Sequence, residues 1–351
     1  MKKYIRFALL GCGAITRKHA ESIANHIPNG ELVAFCDRDI ARAKAYAQQY
    51  GVPAFSSLHA MMDKCGAEID VVCILTPSGL HASNVCDVVK YKKHVIVEKP
   101  MALTTNDAKV MVNACKNAGV EMFVVKQNRY NRSIQRLRKA ITDKRFGNLI
   151  MVTARVRWRR DDAYYKRDAW RGSAAMGGGV LENQGSHHID LVQWLGGEVS
   201  SVFCIKECRL ARIEADDTAI VTIRFKSGPI GVIEATTAVR PKDLEGSISV
   251  LGEGGSVEIG GFAANQIKTW QFEEPIGDDV ETLESFACNP ADSPFFAHTS
   301  CIQNIVNALL GMEAEIVSGE EGFKTVALLE AMQQSSASNR TVNVRSIGDI
   351  S

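Results

Sequence analysis

The feature that most constrains the fold is an alternation of apolar strand patterns and amphipathic helix patterns over the first third of the chain. The strand segments read YIRFALL, ELVAFCD, DVVCILTPS, HVIVEK and EMFVVK, and helical patterns such as TRKHAESIANHI and TNDAKVMVNACKNAG separate them. Because these strands are apolar on both faces, helices must cover both sides of their sheet. The pattern predicts an α/β domain over residues 1–128, built as a doubly wound, Rossmann-type parallel sheet.

A glycine-rich turn, LLGCGAIT, follows the first strand and contains Gly11 and Gly13, with Thr16 in place of a third glycine. Gly11 permits a tight turn, and Gly13 lets the backbone approach a pyrophosphate at the amino end of the next helix. Asp37 ends the second strand, where an acid binds the adenosine ribose hydroxyls. We therefore predict a dinucleotide site with NAD as the cofactor, because this carboxylate would repel the 2′-phosphate of NADP. The adjacent Arg38 could meet that phosphate and keeps NADP as the alternative.

After residue 130 the pattern changes to a period of two, which is typical of half-buried antiparallel strands. Such segments are LIMVTARVRWRR, VSSVFCIKEC, DTAIVTIRF, IGVIEATTAV, GSISVLG and GSVEIGG, and two helical patterns close the chain. The pattern predicts an α+β domain over residues 129–351, with an open, mainly antiparallel sheet. A chain of 351 residues is also long enough that two domains are the ordinary expectation.

Composition limits the classes of partner. The 41 basic and 40 acidic residues leave a net charge of +1, which gives no electrostatic reason to expect nucleic acid or an anionic membrane. No apolar run approaches the roughly 18 residues of a spanning helix, and the apolar start of the chain ends in the glycine turn, so we expect a cytoplasmic protein. The ten cysteines are scattered without a CxxC pair, which predicts structural thiols and no metal site.

A second glycine-rich segment, MGGGVLENQGSHHIDL, lies in the predicted second domain. Asn183 and His187 are four residues apart in a helical pattern, so they share one face, and Asp190 follows one turn later. This spacing lets an amide and a ring nitrogen meet the same bound molecule. The alternative is that the paired histidines only fill or cap the core.

Three motifs together resemble the glucose-fructose oxidoreductase and inositol dehydrogenase family. They are GCGAIT, the Glu98-Lys99-Pro100 triplet, and the glycine segment that leads to Asn183 and His187. The resemblance covers nearly the whole chain. It implies nicotinamide-dependent oxidation or reduction of sugars or cyclitols, and a cis bond before Pro100 that sets the direction of Lys99.

Further stretches resemble the bacterial UDP-N-acetyl-2-amino-2-deoxyglucuronate dehydrogenases. These are FVVKQNRYN, AWRG, ENQGSHHIDL and PKDLEGSISVLGEGGSVEIGG. This resemblance implies oxidation of the 3-hydroxyl of a UDP-sugar acid for lipopolysaccharide synthesis. The alternatives are dehydrogenation of a free sugar or inositol, and a regulator that binds NAD without turnover.

The expected chemistry centres on Lys99, which stands where a parallel strand ends at the nicotinamide crevice. Its ammonium can stabilise a developing alkoxide, while His187 accepts the hydroxyl proton. Either of the two could be the formal base. Glu98 is expected either to bind the nicotinamide ribose or to pair with a neighbour.

The remaining expected residues belong to two sets. The cofactor set comprises Gly11, Gly13, Ala14, Ile15, Asp37, Arg38, Thr76, Pro77, His81, Glu98, Lys99, Gln127, Trp170 and Arg171. The UDP-sugar set comprises Lys99, Arg129, Arg159, Tyr164, Tyr165, Asn183, Ser186, His187 and His298. Lys126, Arg160 and Arg167 are further candidate cations for carboxylate or phosphate, because arginine forks match those oxygens. A homo-oligomer, dimer or tetramer, is expected through the open sheet.

Overall fold

The computed structural model describes residues 3–261, 264–286 and 293–349, and Cys288 of the cysteines above lies outside them. The strands are β1 (Ile5–Leu10), β2 (Gly30–Cys36), β3 (Ala54–Phe55), β4 (Val71–Ile74), β5 (His94–Val97), β6 (Met122–Val124), β7 (Leu149–Arg157), β8 (Val199–Glu207), β9 (Thr218–Phe225), β10 (Ile230–Thr236), β11 (Glu245–Gly252), β12 (Gly255–Gly260), β13 (Gln266–Phe272) and β14 (Val342–Asn343). The helices are α1 (Thr16–Glu21), α2 (Ile40–Tyr50), α3 (Leu58–Cys65), α4 (His81–Val88), α5 (Thr105–Ala118), α6 (Arg132–Thr142), α7 (Asp162–Arg167), α8 (Ser186–Gly196), α9 (Asp279–Ser285), α10 (Ser293–Leu309) and α11 (Gly319–Ser338).

The first compact unit comprises residues 1–127 together with residues 294–323. Its six strands pair in parallel in the order β3-β2-β1-β4-β5-β6. Strands β1, β4 and β5 are almost entirely buried, as the two-faced apolar pattern requires. The predicted doubly wound α/β sheet is confirmed.

Local sequence signals account for several helix ends in this unit. Asp39, Ser57 and Thr104 each accept a backbone N–H bond at the start of a helix. Gly51 and Gly119 end α2 and α5 in the left-handed conformation, which glycine adopts without steric cost. Helix α1 continues into a π-helical turn over Ser22–His26.

The segment 294–323 belongs to the first unit, although the sequence pattern had assigned it to the second domain. The backbone N–H of Val124 donates to the carbonyl of Val317 at 2.9 Å, on the edge strand β6. A Cβ added at Gly322 would lie 2.6 Å from a side-chain methyl of Val124, so α11 starts in direct contact with that strand. The first unit is therefore discontinuous in sequence.

The second unit comprises residues 128–293 and 324–351, and it contains an eight-stranded sheet in the order β13-β12-β11-β7-β10-β9-β8-β14. Neighbouring strands are antiparallel except β7 and β10, which are parallel. One sheet face packs with α6, α8 and α11 around a core that includes Trp158, Leu195 and Met332. The predicted α+β unit with an open, mainly antiparallel sheet is confirmed, while β3, β13 and β14 were not predicted.

Within the described parts of the chain, no helix has the length and apolarity needed to cross a membrane. The same described residues contain no group of three or more His, Cys, Asp or Glu side chains arranged to hold a metal ion.

Candidate active site

In the first unit, the glycine-rich turn links β1 to α1 and packs against the end of β4. Gly11 has φ +98°, and a Cβ there would lie 2.8 Å from backbone atoms of Leu75 and Thr76. A Cβ at Gly13 would meet no atom within 4 Å. Gly11 is therefore required by the fold, whereas Gly13 borders open space in which the main chain can closely approach a pyrophosphate. This turn fits a dinucleotide.

Asp37 follows β2 and is bonded to the same turn. Its Oδ2 accepts the backbone N–H of Cys12 at 2.6 Å, and its Oδ1 accepts the backbone N–H of Asp39 at 2.9 Å. The side chain remains partly exposed, so its carboxylate can also accept from a ribose hydroxyl. Arg38 is exposed. Asp37 thus shapes the glycine turn as well as presenting the acid that an adenosine ribose requires.

His81, at the start of α4, joins the chain after β4 to the chain after β5. Its Nε2 lies 2.8 Å from the carbonyl oxygen of Thr76, and its Nδ1 lies 2.9 Å from that of Pro100. Burial lowers the pKa of His81, although both carbonyl bonds and the charge of Glu98 oppose this effect. The ring is 1% exposed and hydrogen-bonds both the loop after β4 and the loop after β5, which belong to the expected cofactor site.

Lys99 is half-buried directly after β5, and the Lys99–Pro100 bond is cis, as the resemblance implied. The preceding Glu98 is 6% exposed. Its Oε1 lies 2.9 Å from His19 Nε2, and its Oε2 accepts the backbone N–H of Lys99 at 3.0 Å. Of the two expected roles for Glu98, the structure thus displays the pairing with a neighbour.

His298 on α10 faces the same carboxylate, with its Nε2 4.0 Å from Glu98 Oε1. Burial lowers the pKa of His298 to about 3, so this imidazole is neutral in the folded protein, even though the charge of Glu98 opposes the shift. His19 and His298 meet edge to face with ring centroids 6.0 Å apart. His298 is only 3% exposed, and its expected contact with substrate stays a prediction.

In the second unit, Asn183 and His187 stand on consecutive helical segments. Asn183 lies in a π-helical turn over Val180–Gln184, and His187 lies in the first turn of α8. Both side chains are partly exposed. His188 is fully buried against Trp158, with ring centroids 5.8 Å apart, and desolvation lowers its pKa to about 4. The histidine pair therefore divides into a buried core residue, His188, and a partly exposed residue, His187.

Tyr164 on α7 is the centre of a cluster of polar and cationic side chains beside that π-helical turn. Its hydroxyl oxygen accepts from Arg171 Nη1 at 2.7 Å, from Gln184 Nε2 at 3.1 Å and from Asn183 Nδ2 at 3.4 Å. Its ring has three guanidinium groups within 6 Å of the centroid, at 5.2, 5.7 and 4.6 Å, from Arg160, Arg167 and Arg171. We call these four residues, Tyr164, Arg160, Arg167 and Arg171, the tyrosine–arginine cluster. It places three guanidinium groups near Asn183, of which Arg167 and Arg171 also pair with Asp168, and Arg160 pairs with Asp243.

Arg129 and Asp190 form a buried bidentate ion pair within the second unit. The Nε–Oδ2 distance is 2.7 Å and the Nη2–Oδ1 distance is 2.8 Å. Thr325 also donates to Asp190 Oδ1, at 3.0 Å. Two nitrogens of Arg129 are thus occupied in holding α8, and its expected contact with substrate stays a prediction.

The three glycines before Asn183 have separate structural causes. Gly177 has φ +77° and ends a short 3-10 turn. A Cβ at Gly178 would collide with the backbone of Trp170 and Arg171, and one at Gly179 would lie 2.5 Å from Glu182 Oε2. The run therefore lets the chain pass close to its neighbours, and no ligand is needed to explain it.

Behind the π-helical turn lies a buried polar network that the sequence pattern did not reveal. Glu182 Oε1 accepts from Gln333 Nε2, and Asp216 Oδ1 accepts from Lys206 Nζ, each at 2.7 Å. Burial, followed by the charge of Asp216, raises the pKa of Glu182. This network ties the segment that carries Asn183 to α11 and β8, but its members are far apart in sequence, so no local motif could indicate it.

The other expected residues have the following surroundings. Tyr165 is buried, with its hydroxyl 2.9 Å from Thr237 Oγ1, and Ser186 donates to the carbonyl of Asn183 at 3.3 Å. Arg159 is exposed and pairs with Asp161 at 2.7 Å. Arg171 Nε also bonds Asp168 at 2.9 Å. Partly or fully exposed side chains that remain expected cofactor contacts are Ala14, Ile15, Pro77, Gln127 and Trp170.

No sequence motif marked His19, which is fully buried and bonded to Glu98. Its position, six residues after Gly13 on the helix that follows the glycine turn, was read only as part of an amphipathic pattern. A histidine on the buried face of a helix next to a strand-end carboxylate was the available signal.

Comparison with known proteins agrees with this architecture. Residues 5–126 match the model of an oxidoreductase family with an NAD-binding Rossmann fold, GFO/IDH/MocA, and residues 134–258 match the GFO/IDH/MocA C-terminal domain. D-apiose dehydrogenase of Paraburkholderia graminis is 27% identical, with 98% of this chain and 91% of the relative covered. Myo-inositol 2-dehydrogenase of Thermotoga maritima is 28% identical, with 98% and 99% covered.

Among solved structures, the WlbA dehydrogenase from Bordetella pertussis, in complex with NADH and UDP-GlcNAcA, is 38% identical to this chain. The match covers 98% of this chain and 99% of that one, with a TM-score of 0.92. An identity at this level over the whole length, with both family models matched in order, leaves the fold and the cofactor class settled. The chain belongs to the GFO/IDH/MocA family and is an NAD-dependent oxidoreductase.

Proposed function

We propose that this enzyme uses NAD to oxidise the 3-hydroxyl of UDP-N-acetylglucosaminuronic acid to a 3-keto sugar, for synthesis of bacterial lipopolysaccharide. The observation that carries the proposal is the tyrosine–arginine cluster next to Asn183. A sugar carboxylate and a diphosphate both need fixed cations, and guanidinium groups match their oxygens. The likeness to the WlbA dehydrogenase, which was crystallised with that nucleotide sugar, supports the same substrate.

The chain's own residues divide the work as follows. Lys99 presents its ammonium to the substrate oxygen and stabilises the alkoxide that develops there. His187 presents an imidazole, which accepts the hydroxyl proton. Asn183 hydrogen-bonds the sugar and keeps it oriented. NAD, when bound, accepts the hydride from the substrate carbon.

The cofactor would be held by the glycine turn and its neighbours. The open space at Gly13 would receive the pyrophosphate, and the carboxylate of Asp37, which already accepts the N–H of Cys12, would accept from the adenosine ribose. His81 and Thr76 keep the two adjoining loops together, so that Lys99 is presented from a fixed backbone.

The proposal is tested by offering purified enzyme and NAD three substrates: UDP-N-acetylglucosaminuronic acid, neutral UDP-N-acetylglucosamine and myo-inositol. We expect a rise in reduced-nicotinamide absorbance with the first and a product lighter by two hydrogens. The neutral nucleotide sugar should react poorly because an arginine meant for the carboxylate is left unpaired. Lys99→Met and His187→Ala should each lower turnover by roughly 10² or more, with a combined loss smaller than the product of the two.

A second candidate is a dehydrogenase of a free sugar or inositol, which the curated apiose and inositol dehydrogenase relatives favour. Equal turnover of myo-inositol and the nucleotide sugar would select this candidate. Uridine diphosphate alone provides a separate test, because a ligand that binds the folded state raises the melting temperature. We expect thermal protection by uridine diphosphate, and none by free inositol.

We also propose that the enzyme is a homo-oligomer assembled through the outer face of the eight-stranded sheet. Ile205 and Ile220 are paired on adjacent strands and are 53% and 54% exposed. Beside them, Arg157 forms a two-bond pair with Glu234, at 2.6 and 2.7 Å. Exposed apolar side chains next to paired charges are typical of an interface. A sedimentation measurement should give a dimer or tetramer for the unaltered chain and a smaller species for Ile220→Glu; a wild-type monomer would refute this assembly.

A further inference from the structure

Two carboxylates of the second unit converge on the α-carbon of Gly179, at the entrance to the π-helical turn. A Cβ at Gly179 would lie 2.5 Å from Glu182 Oε2 and 3.0 Å from Asp216 Oδ1. The two acidic side chains are therefore neighbours across this glycine. Both belong to the buried polar network described above, in which Gln333 bonds Glu182 and Lys206 bonds Asp216, each at 2.7 Å.

The network holds two carboxyl groups and one cation. Glu182 is 5% exposed, and the side chain of Asp216 is 8% exposed. Burial lowers the pKa of Lys206, but the charges of the two carboxylates outweigh burial and raise it, so this lysine is cationic. Cys204, on the same strand, is a neutral thiol because burial raises its pKa to about 12. If both carboxyl groups were ionised, one negative charge would be buried without a matching cation from these groups, which is costly.

Each of the two carboxyl groups also has an oxygen without a protein donor. Within the described residues, Glu182 Oε2 and Asp216 Oδ2 are buried and receive no hydrogen bond. An ionised carboxylate only accepts, whereas a protonated carboxyl group is neutral and gains an O–H that can donate. Because Glu182 Oε1 is already bonded to Gln333 Nε2, the proton belongs on Oε2, the oxygen next to Gly179.

The surroundings of Glu182 favour its neutral form. Burial, followed by the charge of Asp216, raises its pKa, and the charge of Lys206 and the hydrogen bond of Gln333 do not outweigh them. The titratable and charged groups that face it are Cys204 and Lys206 on β8 and Asp216 before β9, and α11 contributes the neutral amide of Gln333. A carboxyl group with a raised pKa keeps its proton at pH values where the unfolded chain has lost it.

The same glycine connects this acid to Asn183. The backbone N–H of Asn183 donates to the carbonyl of Gly179 at 2.9 Å, and the backbone N–H of Val180 donates to the carbonyl of Asp216 at 2.9 Å. Ionisation of Glu182 would place two negative charges on either side of this short segment. Their repulsion would act on the main chain from which the Asn183 side chain departs.

We propose that Glu182 is a protonated carboxylic acid in the active enzyme and a positioning residue for Asn183, and that loss of its proton at alkaline pH loosens the π-helical turn and lowers turnover. The positioning role rests on the proposed contact of Asn183 with the sugar. The protonation of Glu182 does not depend on that contact or on the identity of the substrate.

Infrared difference spectroscopy of the intact chain at neutral pH detects the proton directly. A protonated carboxyl group absorbs at a higher carbonyl frequency than a carboxylate or an amide. We expect the unaltered enzyme to have such an acid band that is missing in Glu182→Gln. The band should be kept in Glu273→Gln, the same chemical change at an exposed position of the second unit. If the spectra of the unaltered enzyme and Glu182→Gln contain equal acid bands, the protonated state is refuted.

The pH dependence of stability is the second measurement. A carboxyl group whose pKa is raised from its usual 4.5 costs the fold nothing below pH 4.5 and progressively more as the pH rises above it. Glutamine does not ionise. The melting temperature of the unaltered enzyme should therefore fall relative to that of Glu182→Gln, by at least about 2 °C, between pH 4.5 and the pH at which the acid band disappears. A gap in melting temperature that stays constant over this range would refute the inference.

Turnover tests the positioning role. At neutral pH, Glu182→Gln should keep kcat within about 3-fold of the unaltered enzyme, because both side chains are uncharged and of equal size. Glu182→Ala should lower kcat at least about 10-fold, with the Kd for NAD changed less than about 2-fold. As the pH rises, kcat of the unaltered enzyme should decline relative to Glu182→Gln at the pH where the acid band disappears. A constant ratio of the two kcat values across that pH would overturn the positioning role.

These outcomes are separate from those of the proposed reaction. If the unaltered enzyme oxidises no nucleotide sugar but the acid band and the pH-dependent gap in melting temperature are found, the proposed substrate fails and the protonated Glu182 stands. Should Glu182→Gln not fold, Asp216→Asn replaces it. Removal of the neighbouring charge should make the acid band disappear at a lower pH than in the unaltered enzyme, and disappearance at the same pH would refute the inference.

Discussion

Gly11 and Gly13 are two residues apart in one turn, yet the structure predicts opposite consequences for replacing each by alanine. At Gly13 the new methyl group meets no atom within 4 Å, so the free energy of unfolding should change by less than about 0.5 kcal/mol. The same methyl group would occupy the space expected for the pyrophosphate. Overpacking of this kind costs about 1 to 3 kcal/mol, so the Kd for NAD should rise roughly 5- to 150-fold.

At Gly11, replacement by alanine should lower the stability of the fold itself. A non-glycine residue at φ +98° carries about 1 to 3 kcal/mol of backbone strain, and a Cβ at 2.8 Å from the backbone of Leu75 and Thr76 adds a similar amount. We therefore expect Gly11→Ala to lose about 2 to 6 kcal/mol of stability. Urea unfolding without cofactor measures the stability of both variants, and fluorescence titration measures NAD affinity. A Gly13→Ala protein that is destabilised like Gly11→Ala, or that binds NAD normally, would refute the reasoning.

Two further outcomes follow from side chains of the first unit. Asp37→Ala should raise the Kd for NAD and reduce the ratio by which the enzyme prefers NAD over NADP, because the ribose acceptor and the bond to the Cys12 N–H are both lost. Equal affinity of the unaltered enzyme for NAD and NADP would contradict this assignment. Glu98→Gln should lower the free energy of unfolding at neutral pH, on the order of 1 kcal/mol or more, because burial raises the pKa of Glu98 but the hydrogen bond of His19 outweighs burial and lowers the pKa to about 2. A lowered carboxyl pKa stabilises the fold fully above pH 4.5. The difference in stability between the unaltered enzyme and Glu98→Gln should therefore shrink as the pH falls from 4.5 toward 2. A constant difference in melting temperature over this range would disprove the assignment.

The periodicity of apolar residues predicted the sheets, because a strand buried on one face alternates apolar and polar residues and a strand buried on both faces is apolar throughout. Strand β13 was missed because QIKTWQF mixes polar and apolar side chains without clean alternation, and β3 is only two residues long. The sequence pattern places residues 294–323 in the second domain, whereas the structure groups them with the first unit. Nothing local in this segment indicates that it pairs with β6, nearly two hundred residues earlier.

Sequence motifs drew attention to Gly11, Gly13 and Lys99, and their roles toward a cofactor or substrate stay predictions. The glycines before Asn183 have structural causes that only the folded chain displays: Gly177 has a positive φ, and Gly178 and Gly179 pass close to Trp170, Arg171 and Glu182. Contacts such as His19 with Glu98 join residues 79 positions apart, and only the folded chain displays them.

The return of residues 294–323 to the first unit bears on how this protein can be made and divided. During synthesis the nucleotide-binding unit lacks its last helical segment until almost the whole chain has left the ribosome, so β6 has one edge unpaired while the second unit is being produced. Exposed strand edges of that kind promote aggregation. An isolated fragment ending near residue 128 would retain the glycine turn but lack His298, Val317 and the start of α11, so a usable cofactor-binding fragment must be assembled by joining residues 3–127 to residues 294–323 through a designed linker.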